Sequence, residues 1–378
     1  MAISLFSFFS GVGLLDLGFE HDDLDYNVVF VNEYQKSFLN AYTFARLIHN
    51  TPPPIYGYHC CDINDFLNSD LAVLLQGHLQ EQRNLNNIVG FIGGPPCPDF
   101  SVGGKNQGRD GKNGILAQSY VNLIVAQQPD FFIFENVHGL IKTAKHREYF
   151  DELKHTLRSA GYVISNTVLN SLSFGVPQDR DRVVMLGILN NNDRRNLPVI
   201  DDESLDFPWL RYAIVDAAAI KQLPWPTEQP YKENSRRIFH YPVPDFLTVQ
   251  YWFTNNDVVN HPNGRDVFRV KAGREKMLQI SEGDTSRKSF KRLHRWRYSP
   301  TAAYGNNEVH LHPYRTRRLS VAEAMAIQSL PSWFCLPEDM SLTHKFKVIG
   351  NGVPYLMALG IARAVNDLLH EMFQLVNE

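Results

Sequence analysis

The sequence of 378 residues predicts an α/β fold built on a mostly parallel sheet. Its first half alternates short apolar runs with longer mixed segments, which is the pattern of repeated strand–helix units. Several of the apolar runs are dense in Val, Ile and Phe, as in strands that are covered on both faces. After about Asn190 the periodicity weakens and prolines and tryptophans become frequent. This change of texture predicts a second, less regular domain.

Seven strands and two late helices follow from these patterns. The predicted strands are residues 2–9, 27–32, 55–59, 88–93, 130–135, 162–170 and 182–189, the third being the weakest. Ser320 and Glu323 form a capping-box pattern before an apolar run that ends at Leu330, and Pro354 opens a second helix. We therefore predict a first domain of residues 1–190 with 340–378, and a second domain of residues 191–339.

Composition excludes several classes of protein. Hydrophobic content of 44% and charged content of 20% are typical of a folded globular chain. Four cysteines without CxxC spacing argue against a disulfide framework and a structural zinc site. The apolar N-terminus lacks the basic start of a signal peptide, and no other stretch reaches the length of a membrane span. We therefore expect a cytoplasmic protein.

The net charge of −3 conceals an uneven distribution. From Arg265 to Arg318 there are fourteen Lys and Arg against five Asp and Glu, a local balance of +9 that leaves −12 for the remainder. Within this segment, residues 291–301 mix basic and aromatic side chains, which suits phosphate contacts and base stacking. The charge pattern thus predicts a basic nucleic-acid-binding surface on the second domain and salt-sensitive binding.

A glycine turn follows the first predicted strand and contains Gly11 and Gly13. Glycines there let the backbone approach a ligand, and the next helix offers free N–H groups. Glu33, twenty residues after Gly13, ends the second strand, where a carboxylate can hydrogen-bond ribose hydroxyls. Asp62 and Ile63 lie near the third strand's tip, where they can hold an adenine edge. The glycines alone fit an ordinary tight turn equally well, but the spaced acid favours an adenosine-containing cofactor.

A cysteine and a glutamate follow two neighbouring apolar strands. Cys97 has two prolines before it and one after it, so its thiol is held rigidly at a strand's carboxyl end, where open α/β sheets bind ligands. Glu135 ends the next strand, where burial raises the pKa of a carboxyl group and suits proton donation. A buried inert cysteine and a capping or surface glutamate are the alternatives. The occurrence of both residues at adjacent strand ends favours a catalytic site.

Three donors precede the last apolar strand of the first half. The two-residue period of a strand puts Gln178, Arg180 and Arg182 on one face and the two intervening aspartates on the other. Such a face can grip a base edge or a phosphate. Surface salt bridges explain any single one of these residues equally well, but not the ordered set.

Taken in order, these motifs resemble those of the DNA (cytosine-5) methyltransferase family. They are F-x-G-x-G, P-P-C, E-N-V, Q-x-R-x-R, R-x-L at 317–319 and G-N-x-V at 350–353. They leave residues 190–314 for the family's variable target-recognition region. The resemblance implies an S-adenosylmethionine-dependent methyltransferase (Rossmann-like) sheet with a smaller, irregular target-recognition domain. It implies a cytoplasmic, nucleoid-associated enzyme of the bacterial restriction-modification type, which is either the modification partner of a restriction system or a solitary enzyme.

The resemblance also implies a role for each site residue. Cys97 attacks C6 of a cytosine that is flipped out of a specific double-stranded DNA sequence. Glu135 contacts N3 and the exocyclic amine, while Arg182 with Arg180 holds the O2 edge and the cysteine loop. C5 then takes the methyl group of S-adenosylmethionine, which leaves S-adenosylhomocysteine. The implied cofactor contacts are Phe9, Gly11, Gly13, Leu14, Glu33, Asp62, Ile63, Pro96, Leu116 and Asn351.

Two positions depart from the family pattern. Pro98 replaces the usual Gln after the cysteine and leaves one polar or phosphate contact unassigned, and Gly352 stands where Ser is common. Neither departure affects the expected nucleophile. His310 and His312 have no third ligand nearby in the sequence, so we expect no metal and interpret both as structural or DNA-facing.

Two other functions fit the same motifs. One is a tRNA cytosine-5 methyltransferase of the same family, which the long basic and aromatic region disfavours. The other is an inactive paralogue that only binds nucleic acid, which the intact Cys97, Glu135 and Arg182 disfavour. For the leading function we expect double-stranded DNA as partner, a monomeric enzyme, and no stable complex with a cognate restriction endonuclease.

Overall fold

The computed structural model describes residues 2–96, 114–190, 205–270, 273–287, 289–302, 304 and 309–373. Its strands are β1 (Ile3–Phe8), β2 (Tyr26–Asn32), β3 (Tyr58–His59), β4 (Ile88–Gly93), β5 (Phe131–Val137), β6 (Tyr162–Asn170), β7 (Gln178–Asp179), β8 (Asp181–Leu189), β9 (Lys291–Arg292), β10 (Ser299–Pro300) and β11 (His310–Leu311). Its helices are α1 (Asp16–Phe19), α2 (Lys36–Ile48), α3 (Asp65–Asn68), α4 (Asp70–Asn84), α5 (Gly114–Gln127), α6 (Gly139–Lys142), α7 (Ala144–Ser159), α8 (Ala217–Lys221), α9 (Val249–Asn255), α10 (Arg274–Leu278), α11 (Val321–Ile327), α12 (Leu342–Asn351) and α13 (Tyr355–Phe373).

Seven strands form one sheet in the order β3-β2-β1-β4-β5-β8-β6. All neighbours are parallel except that β8 runs antiparallel to both β5 and β6. The predicted mostly parallel α/β sheet is therefore confirmed. The chain leaves β1 toward β2 and β3 on one side and reaches β4 and β5 on the other. In open α/β sheets, ligands bind at the carboxyl ends of the strands at this kind of reversal.

The sheet is covered on both faces, as its Val-, Ile- and Phe-rich strands predict. On one face, Phe6, Phe8 and Phe91 pack with apolar side chains of α4, α5 and α7. On the other face, Ile3 and Leu5 pack with α13. Because side chains alternate along a strand, the same short β1 supplies both cores.

Two strand boundaries differ from the prediction by more than one residue. The third strand is shortened from 55–59 to β3, because prolines at 52–54 lack N–H groups and Gly57 has a left-handed φ of 81°. The fifth strand continues past Glu135 to Val137, because antiparallel pairing with β8 joins Val137 to Arg182. Glu135 thus lies within β5, not at its end.

Helix α13 returns from the end of the chain to the first half of the sheet. It packs against α1 at Gly18, where a Cβ would lie 2.4 Å from the backbone of Ala358. The expectation that no stretch has the length of a membrane span was wrong. By length and composition alone, the segment Leu342–Phe373 is long and apolar enough to cross a membrane. It is nevertheless 67% buried, and it is divided into α12 and α13. Within this fold it forms part of the core.

The second half contains short elements held by capping and by two short strand pairs. The predicted capping box of Ser320 and Glu323 is present at the start of α11. That helix ends at Ile327, before the predicted Leu330, because Ser329 adopts a left-handed φ of 54°. Apolar residues of α11 share a core with α1, α2 and α12. The predicted domain boundary between 339 and 340 therefore crosses a shared apolar core.

Candidate active site

Four residues from separate parts of the sequence lie in one row near the carboxyl edge of the sheet. They are Phe9, Glu33, Gly94 and Glu135. Each directly follows a position that is in register with its neighbours on β1, β2, β4 and β5. The parallel register thus brings together motifs that are separated by more than a hundred residues of sequence.

The centre of the site is a buried ion pair. The Nε atom of Arg182 lies 2.7 Å from Oε1 of Glu135, and the two side chains are 6% and 9% exposed. Glu135 pairs with Val184 across β5 and β8, so Arg182 is its diagonal neighbour on the same face. Burial raises the pKa of Glu135, and the charge of Arg182 opposes this rise only in part. The direction of this pKa shift agrees with the one expected from the sequence.

The loop after β4 approaches this pair closely. A Cβ on Gly94 would lie 2.6 Å from Oε2 of Glu135, so only glycine leaves room for the carboxylate. Asn136 donates through Nδ2 to the carbonyl oxygen of Pro95 at 3.2 Å and thereby ties β5 to this loop. Pro96 is exposed at the last described position of the loop. Cys97 and the atypical Pro98 lie outside the described residues.

The three predicted donors, Gln178, Arg180 and Arg182, share one buried face but bond different partners. Gln178 and Arg180 are 0% and 1% exposed. Arg180 donates through Nη2 to the carbonyls of Gly350 and Gly352 at 2.6 and 3.0 Å, and through Nη1 to that of Ala302 at 3.2 Å. The Gln178 amide donates to Ile327 and Gln328 and accepts from the N–H of Ala302. These two residues fasten later segments to the sheet, and only Arg182 reaches Glu135.

The glycine turn after β1 is held by Glu33. The N–H groups of Gly11 and Gln35 donate to its two carboxylate oxygens at 2.9 and 2.8 Å. Burial raises the pKa of Glu33, which is 9% exposed. Phe9, Gly11 and Gly13 all have left-handed φ angles, of 53°, 58° and 76°. This conformation is uncommon for a side chain such as that of Phe9.

The other predicted cofactor contacts are distributed around this turn. Leu14 and Ile63 are only 2% and 3% exposed and belong to apolar cores. Asp62 stabilises the turn before α3, since its Oδ1 accepts from the N–H of Asn64 at 2.9 Å. Leu116 is partly buried against the core, whereas Asn351 is exposed at the end of α12. Contacts from Leu14 and Ile63 to a ligand therefore depend largely on their backbone.

The turn fits a ligand that carries hydroxyl and amino groups. The Ser10 hydroxyl is buried and has no hydrogen-bond partner among the described residues. A buried polar group of this kind costs free energy unless a ligand or water pairs with it. The carboxylate of Glu33, which follows β2 and accepts from the N–H of Gly11, lies beside this turn. Together these groups fit the ribose and amino acid parts of S-adenosylmethionine.

Comparison with known proteins identifies the family. The family model for C-5 cytosine-specific DNA methylases matches residues 3–367.

The chain belongs to this family.

The family's curated members and solved structures agree with this assignment. Type II methyltransferase M.NmeDI of Neisseria meningitidis serogroup C is 50% identical over 98% of this chain and 85% of its own length. Type II methyltransferase M.MthTI of Methanothermobacter thermautotrophicus is 27% identical over 97% of both chains. The solved S. pombe Dnmt2 methyltransferase has a TM-score of 0.58 at 13% identity, covering 98% of this chain and 99% of that one, a likeness of fold alone. The predicted family, fold and enzyme class, a DNA cytosine-5 methyltransferase, are thus confirmed.

The methylase has a smaller exposed basic surface than its sequence suggests. Arg292 is fully buried and donates to the carbonyls of Met277, Ile280 and His312. Arg295 is 3% exposed and forms a bidentate pair with Glu282 at 2.7 and 2.9 Å. The prediction that residues 291–301 serve phosphate contacts is wrong for these two arginines. The exposed cations of the basic segment, among the described residues, are Arg265, Arg269, Arg274, Lys276 and Arg287.

Two buried histidines of the methylase's second half are structural. His310 and His312 are both 2% exposed, and burial lowers the pKa of each to about 3. Nε2 of His312 lies 3.4 Å from Glu323, the capping residue of α11. Among the described residues, no three His, Cys, Asp or Glu side chains are grouped as a metal site requires.

Sequence inspection missed two features of the methylase site. Gly94 directly precedes the P-P-C motif, so a close approach of the backbone at this position could have been inferred from the sequence. The role of Arg46 in α2 could not be inferred from the sequence. Its side chain is 2% exposed and donates hydrogen bonds to the glycine turn. Nothing in the local pattern of α2 distinguishes it from a surface arginine.

Proposed function

We propose that this methylase modifies one cytosine in a specific double-stranded DNA sequence through a covalent bond between Cys97 and C6. The observation that carries the proposal is the buried Glu135–Arg182 pair beside the loop that leads to Cys97. A buried acid with a raised pKa next to a nucleophile loop is the arrangement that activation of a pyrimidine ring requires.

The chemistry follows from the ring. C5 of cytosine is a poor nucleophile until C6 carries an adduct, so attack by the Cys97 thiolate moves electron density toward C5. Glu135 supplies a proton to N3, which prevents negative charge from building up on the ring. Arg182 keeps Glu135 in place and offers a donor to O2. We assign Arg180 a positioning role, since its described bonds go to backbone carbonyls.

The cofactor supplies an electrophilic methyl group carried on a sulfonium. We assign Glu33 to the ribose hydroxyls, and the turn with Gly11 and Ser10 to the remaining polar groups. After C5 has taken the methyl group, its proton leaves to a base and the Cys97–C6 bond breaks. These two events restore the double bond of the ring and return the thiolate.

Target recognition falls to the region of residues 191–339, as the resemblance implies. A thiolate and an acid cannot reach C6 and N3 inside a duplex, so the cytosine must be rotated out of the helix. The exposed cations of the basic segment are suited to binding the backbone phosphates. The enzyme acts as a monomer in a restriction-modification system, and a cognate endonuclease recognises the same sequence without forming a stable complex with it.

A mechanism-based trap tests the covalent step. In DNA that contains 5-fluorocytosine, C5 carries fluorine in place of the proton, so the methylated adduct cannot eliminate. Wild-type enzyme with S-adenosylmethionine is expected to form a complex with such DNA that survives denaturing electrophoresis. Cys97→Ser is expected to form none, whereas Cys60→Ser is a matched control because Cys60 is an exposed thiol that the proposed chemistry does not use.

Two outcomes would contradict the proposal. One is an equally strong covalent complex with Cys97→Ser. The other is trapping on fluorinated tRNA but not on fluorinated DNA, which would transfer the same chemistry to the tRNA alternative.

A further inference from the structure

A buried ion-pair cluster lies against the glycine turn. We call Arg46, Glu20, Tyr42 and Asp16 the Arg46 cluster. Arg46 donates through Nε and Nη2 to Oε2 of Glu20 at 3.0 and 2.6 Å. Its guanidinium stacks on the Tyr42 ring at 4.1 Å, and the Tyr42 hydroxyl donates to Asp16 at 2.9 Å. None of these four residues has a role in the proposed chemistry.

Arg46 also bonds the backbone of the turn. Its Nη1 donates to the carbonyl of Val12 at 3.2 Å and its Nη2 to that of Gly13 at 2.9 Å. The N–H of Gly11 donates to Glu33. Three consecutive residues of the turn are therefore fixed by side chains from two different elements.

The cluster explains why position 13 is a glycine. A Cβ on Gly13 would lie 2.4 Å from the Tyr42 ring and 2.5 Å from the Arg46 guanidinium. Its φ of 76° also disfavours any side chain. Gly13 is thus required by the packing of the protein itself, independently of any contact with a ligand.

Holding these carbonyls also fixes the donors of the turn. In a planar trans peptide the N–H points opposite to the C=O. Bonds from Arg46 to the carbonyls of Val12 and Gly13 therefore orient the N–H group of Leu14, and that of Gly13, which donates to the carbonyl of Ser10 at 2.7 Å. A lysine has a single ammonium and cannot reach Glu20 and two carbonyls with the fixed geometry of a guanidinium.

We propose that Arg46 is a positioning residue for S-adenosylmethionine, which holds the glycine turn in its binding conformation through the carbonyls of Val12 and Gly13. The proposal rests on the proposed cofactor site. Arg46 is 2% exposed, and its described hydrogen bonds go to Glu20 and to the backbone of the turn. A buried ion pair is weak evidence for a stabilising role, because the cost of desolvation offsets the attraction. Removing one partner of such a pair leaves the other charge unpaired and destabilises the fold, so the effect of Arg46 on ligand binding is measured separately from its effect on folding.

Two variants of Arg46 and one control test this role. Arg46→Met keeps the length of the side chain without its donors, and Arg46→Lys keeps the charge. Arg83→Met is the matched control, because Arg83 bonds two backbone carbonyls, of Gln127 and Gln128, away from the turn. The measurements are the Kd of S-adenosylhomocysteine by calorimetry, DNA affinity without cofactor, the thermal midpoint without ligand, and the steady-state constants.

Arg46→Met is expected to raise the Kd of S-adenosylhomocysteine at least tenfold, and Arg46→Lys to raise it less. KM for S-adenosylmethionine should rise in parallel, while kcat at saturation and DNA affinity stay within about threefold of wild type. Arg83→Met should leave the Kd unchanged.

An unchanged Kd in Arg46→Met would overturn the proposal, as would equal losses of cofactor and DNA affinity together with a lower thermal midpoint. If Arg46→Met does not fold, Arg46→Lys decides by the same criteria. Failure of the wild-type protein to bind S-adenosylhomocysteine would instead contradict the proposed function.

Discussion

The buried His310 makes the stability of the second half depend on pH. Its ring is 2% exposed, and neither ring nitrogen has a partner among the described residues. Burial, with a smaller contribution from the charge of Lys291, lowers the pKa of this imidazole from 6.5 to about 3. As the pH falls below 6.5, the imidazole therefore becomes protonated in the unfolded state but stays neutral in the folded state. Stability from this group is present above pH 6.5 and is lost as the pH falls toward 3.

The size of the effect follows from linkage. At pH 5 the imidazole is protonated in the unfolded state and neutral in the folded state. This pH lies 1.5 units below the ordinary pKa of 6.5 that applies to the unfolded state. At about 1.4 kcal/mol per unit, His310 accounts for a loss of about 2 kcal/mol between pH 8 and pH 5. This loss of stability hardly depends on the pKa of His310 in the folded state, because pH 5 lies well above that pKa.

His310→Phe removes the titration and keeps a ring of similar shape against Tyr304, whose centroid is 5.5 Å away. The assay is urea unfolding at pH 8 and pH 5 without ligand, followed by tryptophan fluorescence. The variant should lose about 2 kcal/mol less than wild type between the two values. His240→Phe is the control, since His240 is exposed. Equal losses in wild type and His310→Phe would refute the reasoning.

Four further predictions concern the site and the DNA surface. Gly352→Ser puts a Cβ 2.3 Å from Leu14 and should lower the free energy of unfolding by about 1–3 kcal/mol, a loss that Leu14→Ala in the same chain partly restores in denaturant titrations. Gly94→Ala puts a Cβ 2.6 Å from Oε2 of Glu135 and should lower kcat at least tenfold at an unchanged thermal midpoint; normal kcat would show that the carboxylate has room to move. Glu135→Gln removes the proton donor and should lower kcat about 100-fold in single-turnover assays, with DNA affinity retained. Arg269→Ala removes an exposed cation and should reduce the slope of log K against log salt by about 0.9 in binding titrations, whereas an unchanged slope would exclude it from the phosphate contacts.

The sheet was predictable because its signal is local. Strands covered on both faces need apolar residues throughout, and such runs stand out in the sequence, so β4 and β6 have the predicted bounds. The position of Glu135 beside a cysteine loop followed from the rule that parallel strands share a carboxyl edge. The antiparallel β8 has no such local signal. Its pairing, which brings Arg182 to Glu135, is visible only in the folded chain.

Charge was the least predictable property. The number of arginines can be read from the sequence, but the sequence does not show which of them are buried. Arg292 and Arg295 look like DNA-binding residues because they lie in a basic and aromatic stretch. In the structure, however, Arg292 donates to backbone carbonyls and Arg295 pairs with Glu282. Arg46 is the opposite case, an unremarked helix residue that fixes the glycine turn. Both cases depend on contacts between distant segments, which local patterns do not encode.

Bisulfite sequencing of plasmid DNA from a methylation-free host tests the central claim most directly. Expression of the wild-type chain is expected to protect one cytosine within one recurrent sequence, because a single flipped base is modified at each site. Cys97→Ser, expressed at the same level, is expected to protect none. Absence of methylcytosine in every context with soluble wild-type protein, or equal protection by Cys97→Ser, would contradict the account.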